Sequence, residues 1–237
     1  MQIKDKIKDA FGKNRRQKLT SVASLVIVNV LVAAGVFAYF SSSDAVTNRL
    51  SAEHSSVALI EPAWDSKGGA MAHKSEPGMN IPKNPKAKND SNISEYCRIS
   101  MTVTASAEEC IIPIVHAICM SEDVNNRLMI LNDNFTIKSF GNSAFAYDNN
   151  EIKIAGNKKS ITYYFYYVDD SGKMQILQPD EETPSLFEFI NIPVYKADYY
   201  GVFDRKYYIT LQAEAVPAVL FEDGTPGIEE FREQLLD

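Results

Sequence analysis

Between Tyr96 and Thr104 apolar and polar residues alternate strictly: Cys97, Ile99, Met101 and Val103 fall on one side, Arg98, Ser100, Thr102 and Thr104 on the other. A period of two is the mark of a half-buried strand. The same rhythm returns in Tyr207 to Val216, where Tyr207, Ile209, Leu211, Ala213 and Ala215 share a face opposite Thr210, Gln212 and Glu214. Ile161 to Val168, ITYYFYYV, has five aromatics in eight residues and is the most β-prone stretch. Asp169-Asp170-Ser171-Gly172 turns it back toward Met174 to Leu177, giving a hairpin. Ser56 to Glu61, stopped by Pro62, reads as a short strand, as do Asn134 to Phe140, Ala144 to Asp148, Glu151 to Ala155 and Leu186 to Ile192. Ile111 to Met120, IIPIVHAICM, is apolar nearly throughout and predicts an inner strand interrupted at Pro113. Trp64 to Asp90 and Pro179 to Pro184 are loops by composition, and Ser121 to Leu131 fits a short helix or a loop. After Pro226-Gly227, Ile228, Phe231 and Leu235 lie on one side of a short terminal helix with acids in its first turn. Many short strands separated by turns, without an internal repeat, predict an all-β fold, an antiparallel β-sandwich of jelly-roll-like type with short peripheral helices.

One stretch breaks this pattern. Leu19 to Phe40 carries no charge over 22 residues, enough at helical rise to cross a bilayer's roughly 30 Å hydrocarbon core. Seven bases (Lys4, Lys6, Lys8, Lys13, Arg15, Arg16, Lys18) precede it against Asp5 and Asp9, the asymmetry that keeps an N-terminus inside. Ala33, Ala34, Gly35 and Ala38 near its end suit a signal peptidase, which places cleavage in the region of Ala38, Tyr39 and Phe40. The chain thus divides into a signal peptide (1–39; basic region 1–18, hydrophobic helix 19–39), an extended arm (40–54), a β-domain (55–222) and a C-terminal tail with a short helix (223–237). The arm is polar and too short to bury a core of its own. Val46 and Leu50, four apart and on one face of an extended strand, are its candidate donor side chains.

Charge changes the functional picture. Setting aside the seven bases and two acids of residues 1–39 leaves 17 bases and 29 acids of the chain's 24 and 31, so the exported body is strongly acidic. Nucleic acid is excluded as a partner, because its binding rests on phosphate neutralisation by Lys and Arg. Cys97, Cys110 and Cys119 are odd in number and give no disulfide framework. Cys97 and Cys119 read as small buried hydrophobes, with a single bridge as the alternative. His54, His73 and His116 are isolated, with no second His four residues on, so the pattern of a zinc hydrolase is missing. Of the acidic pairs Asp169-Asp170, Glu181-Glu182 and Glu229-Glu230, the Asp-Asp-Ser-Gly turn lacks the spaced ligands of a calcium loop, and adjacent acids of this kind read as solvated. No catalytic residue, metal site or cofactor is predicted.

Several short motifs, in order, resemble the TasA and camelysin family of exported biofilm-matrix proteins of Gram-positive bacteria. They are Gly35 to Ser41 with Asp44-Ala45-Val46-Thr47-Asn48; Glu61-Pro62-Ala63-Trp64-Asp65; Pro77 to Pro85, leading through Asn89 to Tyr96-Cys97-Arg98-Ile99; Tyr163 to Tyr167; Thr183 to Phe187; and Gln212 to Ala218. The basic tail is longer than usual in that family, Ser42 and Ser43 replace part of its acidic pattern, and Cys97 stands where Val is common. The resemblance implies a jelly-roll-like sandwich, cleavage before Phe40 by a SipW-type signal peptidase, and assembly outside the cell into matrix fibres. The expected partners are copies of the chain itself, the signal peptidase during export, and a matrix accessory protein or polysaccharide. Camelysin has been described as a metallopeptidase, so a secreted peptidase is one alternative. A surface binding module that keeps its hydrophobic segment as an anchor is another.

Overall fold

A computed structural model describes residues 56–192, 207–221 and 224–235. The signal segment, Ala38, Tyr39, Phe40, the arm with Val46 and Leu50, and His54 lie outside the described residues.

In chain order the strands are β1 (Val57–Ile60), β2 (Asn80–Pro82), β3 (Lys86–Asn89), β4 (Glu95–Ala105), β5 (Ile118–Cys119), β6 (Met129–Leu131), β7 (Ile137–Phe140), β8 (Phe145–Tyr147), β9 (Lys153–Ile154), β10 (Ser160–Tyr167), β11 (Ile176–Leu177), β12 (Phe189–Asn191) and β13 (Tyr207–Pro217). Short helices are α1 (Gly69–Ala72), α2 (Ile111–His116) and α3 (Ile228–Gln234). Every strand pairing is antiparallel.

The two alternating stretches and the aromatic run become one sheet. β4 is its centre: β13 pairs along one edge from Tyr207↔Ala105 to Pro217↔Glu95, and β10 along the other from Ser160↔Thr104 to Tyr166↔Arg98. β11 continues the β10 side opposite Glu95 and Tyr96, while β8 and β9 pair with the far edge of β10. This register puts Cys97, Ile99, Met101 and Val103 beside Ile161, Tyr163 and Phe165, all fully buried. Packed into the same core are Val57 of β1, Ile81 of β2, Ile111 and Ile114 of α2, Ile118 of β5, and Phe187. Three smaller strand groupings accompany the sheet: β1 with β3, β12 between β2 and β5, and the β6–β7 hairpin, which adds Met129, Leu131 and Ile137 to the core.

Four stretches depart from the pattern reading. Ile111 to Met120 is not an inner strand but α2 followed by β5. Pro113 falls within the first turn of α2, where an N–H has no intrahelical partner to lose, whereas in a strand it would cost a ladder bond. Ile111, Ile114 and Val115 are buried at helical spacing, which a uniformly apolar run cannot disclose. Trp64 to Asp90 is no continuous loop: it holds a π-helical turn (Trp64–Gly68), α1, β2 and β3. Gly68 is required there, since a Cβ would lie 2.0 Å from the Pro82 carbonyl oxygen. Ser121 to Leu131 is a looped segment ending in β6, and the strand expected over Leu186 to Ile192 narrows to β12.

Candidate assembly surface

The outer edge of β13 has no strand partner among the described residues. β13 is 11 residues long and pairs only with β4 among the described residues; β1 lies near it without forming a ladder. At about 3.3 Å per residue such an edge runs roughly 36 Å. Natural edges are blunted by lysines, bulges or internal prolines. β13 has no lysine, and its one proline, Pro217, is its last residue. Leu211 and Ala213 anchor it to the core, and Thr210, Gln212 and Glu214 point the other way.

Behind this edge lies a buried charge network on the sheet's second face. The register brings Arg98, Tyr166 and Glu214 into one row across β10, β4 and β13. Arg98 Nε donates to Glu214 Oε2 at 2.6 Å, and its Nη1 donates to Glu151 Oε1 at 2.7 Å and to the Tyr166 hydroxyl at 3.0 Å. The Tyr166 hydroxyl donates in turn to Glu151. The Arg98 guanidinium lies 4.3 Å from the Tyr164 ring centroid, with Lys153 Nζ 5.0 Å from that ring. Burial works against the Arg98 charge, yet Glu214, Tyr166 and Glu151 outweigh it and raise its pKa. Burial, then the bond to Glu151, raises that of the Tyr166 hydroxyl. α3 closes this end: Phe231 packs edge-on to Tyr166 at 5.9 Å, and Arg232 reaches Asp148 at 3.3 Å. Farther along the face the side chains are hydroxyls, with Thr102 Oγ1 2.8 Å from Thr162 Oγ1 and Thr104 Oγ1 2.9 Å from Ser160 Oγ.

The remaining candidates have local roles. His116 Nε2 accepts the Leu131 N–H at 3.0 Å, and burial, aided by the Arg127 charge, lowers its pKa to about 4. It is a neutral acceptor joining α2 to β6. His73 is the exposed C-cap residue of α1. Among the described residues no three His, Cys, Asp or Glu side chains converge as a metal site would need. Asp169 Oδ1 accepts from the Ser171 N–H, the Ser171 hydroxyl and the Lys173 N–H, bonds that hold its carboxyl below the usual range. Glu182 pairs with Lys86, Glu181 accepts the Gln178 N–H, Glu229 pairs with Arg232, and Glu230 accepts the Gly227 N–H. All three cysteines are buried and none is in a disulfide, and burial pushes the thiol of Cys119 up to about 11. Of the tyrosine run only Tyr164 is half-exposed; Tyr163, Tyr166 and Tyr167 are buried.

The motifs Glu61 to Asp65 and Pro77 to Pro85 meet in space: Lys83 Nζ lies 2.5 Å from Glu61 Oε1 and 4.4 Å from the Trp64 ring centroid, and Asn84 Oδ1 accepts the Ala63 N–H. Sequence reading missed this buried pair and the Arg98 network, because both require knowing which strands are neighbours. No family model, curated protein or solved structure matches this chain.

Proposed function

We propose that this chain is an exported structural protein of the TasA and camelysin type, which self-assembles into extracellular matrix fibres by donating its N-terminal arm as a strand to a neighbouring copy. The observation that carries the reading is the long outer edge of β13, which has no strand partner among the described residues. Backbone groups on such an edge are satisfied by an added strand, and alternating donor side chains give the addition its register. The fold in this reading is a jelly-roll-like sandwich. Residues 19–39 form the signal helix, cleavage in the Ala38 to Phe40 region frees the arm, and Val46 and Leu50 seat it on the acceptor. Donor and acceptor surfaces differ, so the contact is head-to-tail and propagates rather than closing into a dimer. Function resides in a sheet edge instead of an active site. The acidic body suits a soluble surface protein.

The test is removal of Phe40 to Ala52 from the exported form. The truncated protein is expected to remain a folded, soluble monomer while the full exported chain polymerises. Fibres of normal length from the truncation would overturn the reading.

A further inference from the structure

The core-facing row of β4 begins with an acid. Glu95 occupies the same face as Cys97, Ile99, Met101 and Val103 and, at 0 % exposure, is as deeply buried as they are. Its Oε1 accepts the Ser56 N–H at 2.9 Å, and its Oε2 has no hydrogen-bond partner among the described residues. A core carboxyl group with one hydrogen bond and one bare oxygen is a costly arrangement that Leu or Met at this position would avoid. Packing therefore does not account for the residue; its single partner does.

That partner stands at the junction between arm and domain. Ser56 immediately precedes β1, and its carbonyl accepts the Asp90 N–H at 3.0 Å before Val57 pairs with Asn89. Asn89, also at 0 % exposure, donates from Nδ2 to the carbonyls of Ile93 and Leu177, tying the end of β3 to the turn before β4 and to β11. Both backbone polar groups of Ser56 are thus held, one by a core side chain and one by the strand end beside it. We infer that Glu95 is a positioning residue for assembly: it anchors the root of the N-terminal arm to the central strand, so that the arm leaves the domain at a fixed point and meets its acceptor already oriented. An anchored root removes conformational freedom before the encounter and so lowers the ordering cost of docking.

This inference rests on the strand-donation reading, and the variants are chosen to separate the two. The exported chain, Phe40 to Asp237, is compared with its E95Q, E95L and S56P forms by fibre elongation rate, thermal midpoint and hydrogen exchange of the peptide containing Ser56. E95Q keeps an acceptor oxygen and is expected to elongate within about twofold of wild type. E95L, which removes the acceptor, and S56P, which removes the donor, are expected to slow elongation at least tenfold, with faster exchange at the root. E95L, relieved of the bare buried oxygen, keeps or raises the thermal midpoint, while S56P, which leaves the Glu95 carboxyl unpaired, lowers it. If E95L does not fold, S56P decides. Wild-type elongation in S56P, or in a folded E95L, would overturn the anchor while leaving strand donation standing. A wild-type chain that never forms fibres would overturn both.

Discussion

The two faces of the central sheet are built from the same three strands and held in different ways. On one, Ile99, Met101, Tyr163 and Phe165 are sealed in an apolar core whose cohesion is area and shape. On the other, Arg98 takes up the carboxylates of Glu151 and Glu214, and only the end under Phe231, with Tyr96, Tyr166, Val168, Met174 and Val216, is apolar. An apolar face tolerates a lost methylene in proportion to its volume. A charged face is intolerant of losing one partner, because what remains is a buried charge without a counterion. The contrast places geometric specificity for β13 on the second face, since Glu214 is the residue by which β13 joins the network.

Breaking that face is expected to have the largest effect. Arg98→Met leaves Glu214 without its cation and Glu151 with only Arg232, 3.9 Å away, and should cost about 3–5 kcal/mol in urea unfolding. The combined Arg98→Met, Glu151→Gln and Glu214→Leu protein should recover most of it; failure to recover would mean that the network contributes more than charge balance.

The next effect belongs to the core side and to pH. The fold keeps His116 neutral by lowering its pKa from 6.5 to about 4, so the unfolded chain takes up the proton first as pH falls. Its contribution is complete above about pH 6.5 and is lost toward pH 4, amounting to about 2–3 kcal/mol. Unfolding free energies measured between pH 7 and pH 4 should therefore fall less steeply in His116→Gln than in the wild type. Equal slopes would refute the assignment.

The smallest effect lies in the hydroxyl rows. Replacing Thr102 and Thr162 together by Val removes both members of a partly buried hydrogen bond and should change stability by about 1 kcal/mol or less, as read from the denaturation midpoint. A loss several times larger would show that the row is tightly coupled to the charges beside it.

These contrasts also explain which parts of the fold were legible. β4, β10, β13 and the turn at Asp169 announce themselves by period and propensity, because each must bury one side of an extended strand. β3 does not: Lys86, Lys88 and Asn89 leave Ala87 as its only apolar residue, and it is held by its register with β1. α2 does not show its helical period because Ile112 and Pro113, on its less buried side, are as apolar as the buried Ile111, Ile114 and Val115. The candidate site was legible only in part. The length of β13 could be read, but not that it pairs with β4 alone among the described residues, nor the meeting of Arg98 with Glu214, 116 residues apart in sequence. Glu95 gave a weak sign, an acid in phase with an apolar row.

That separation has a consequence for how the molecule comes into being. A chain emerging from its N-terminus has β4 long before β13, and contacts so distant in sequence must wait for loop closure, which makes folding slow. Until residues near 217 are available, one flank of the central strand stays open and the interior cannot close. Tyr207–Pro217, close to the end of the sequence, acts as the fastener. A ribosome stalled before Tyr207 would hold a nascent chain with β4 and β10 in hand and the other flank of its central strand unpaired.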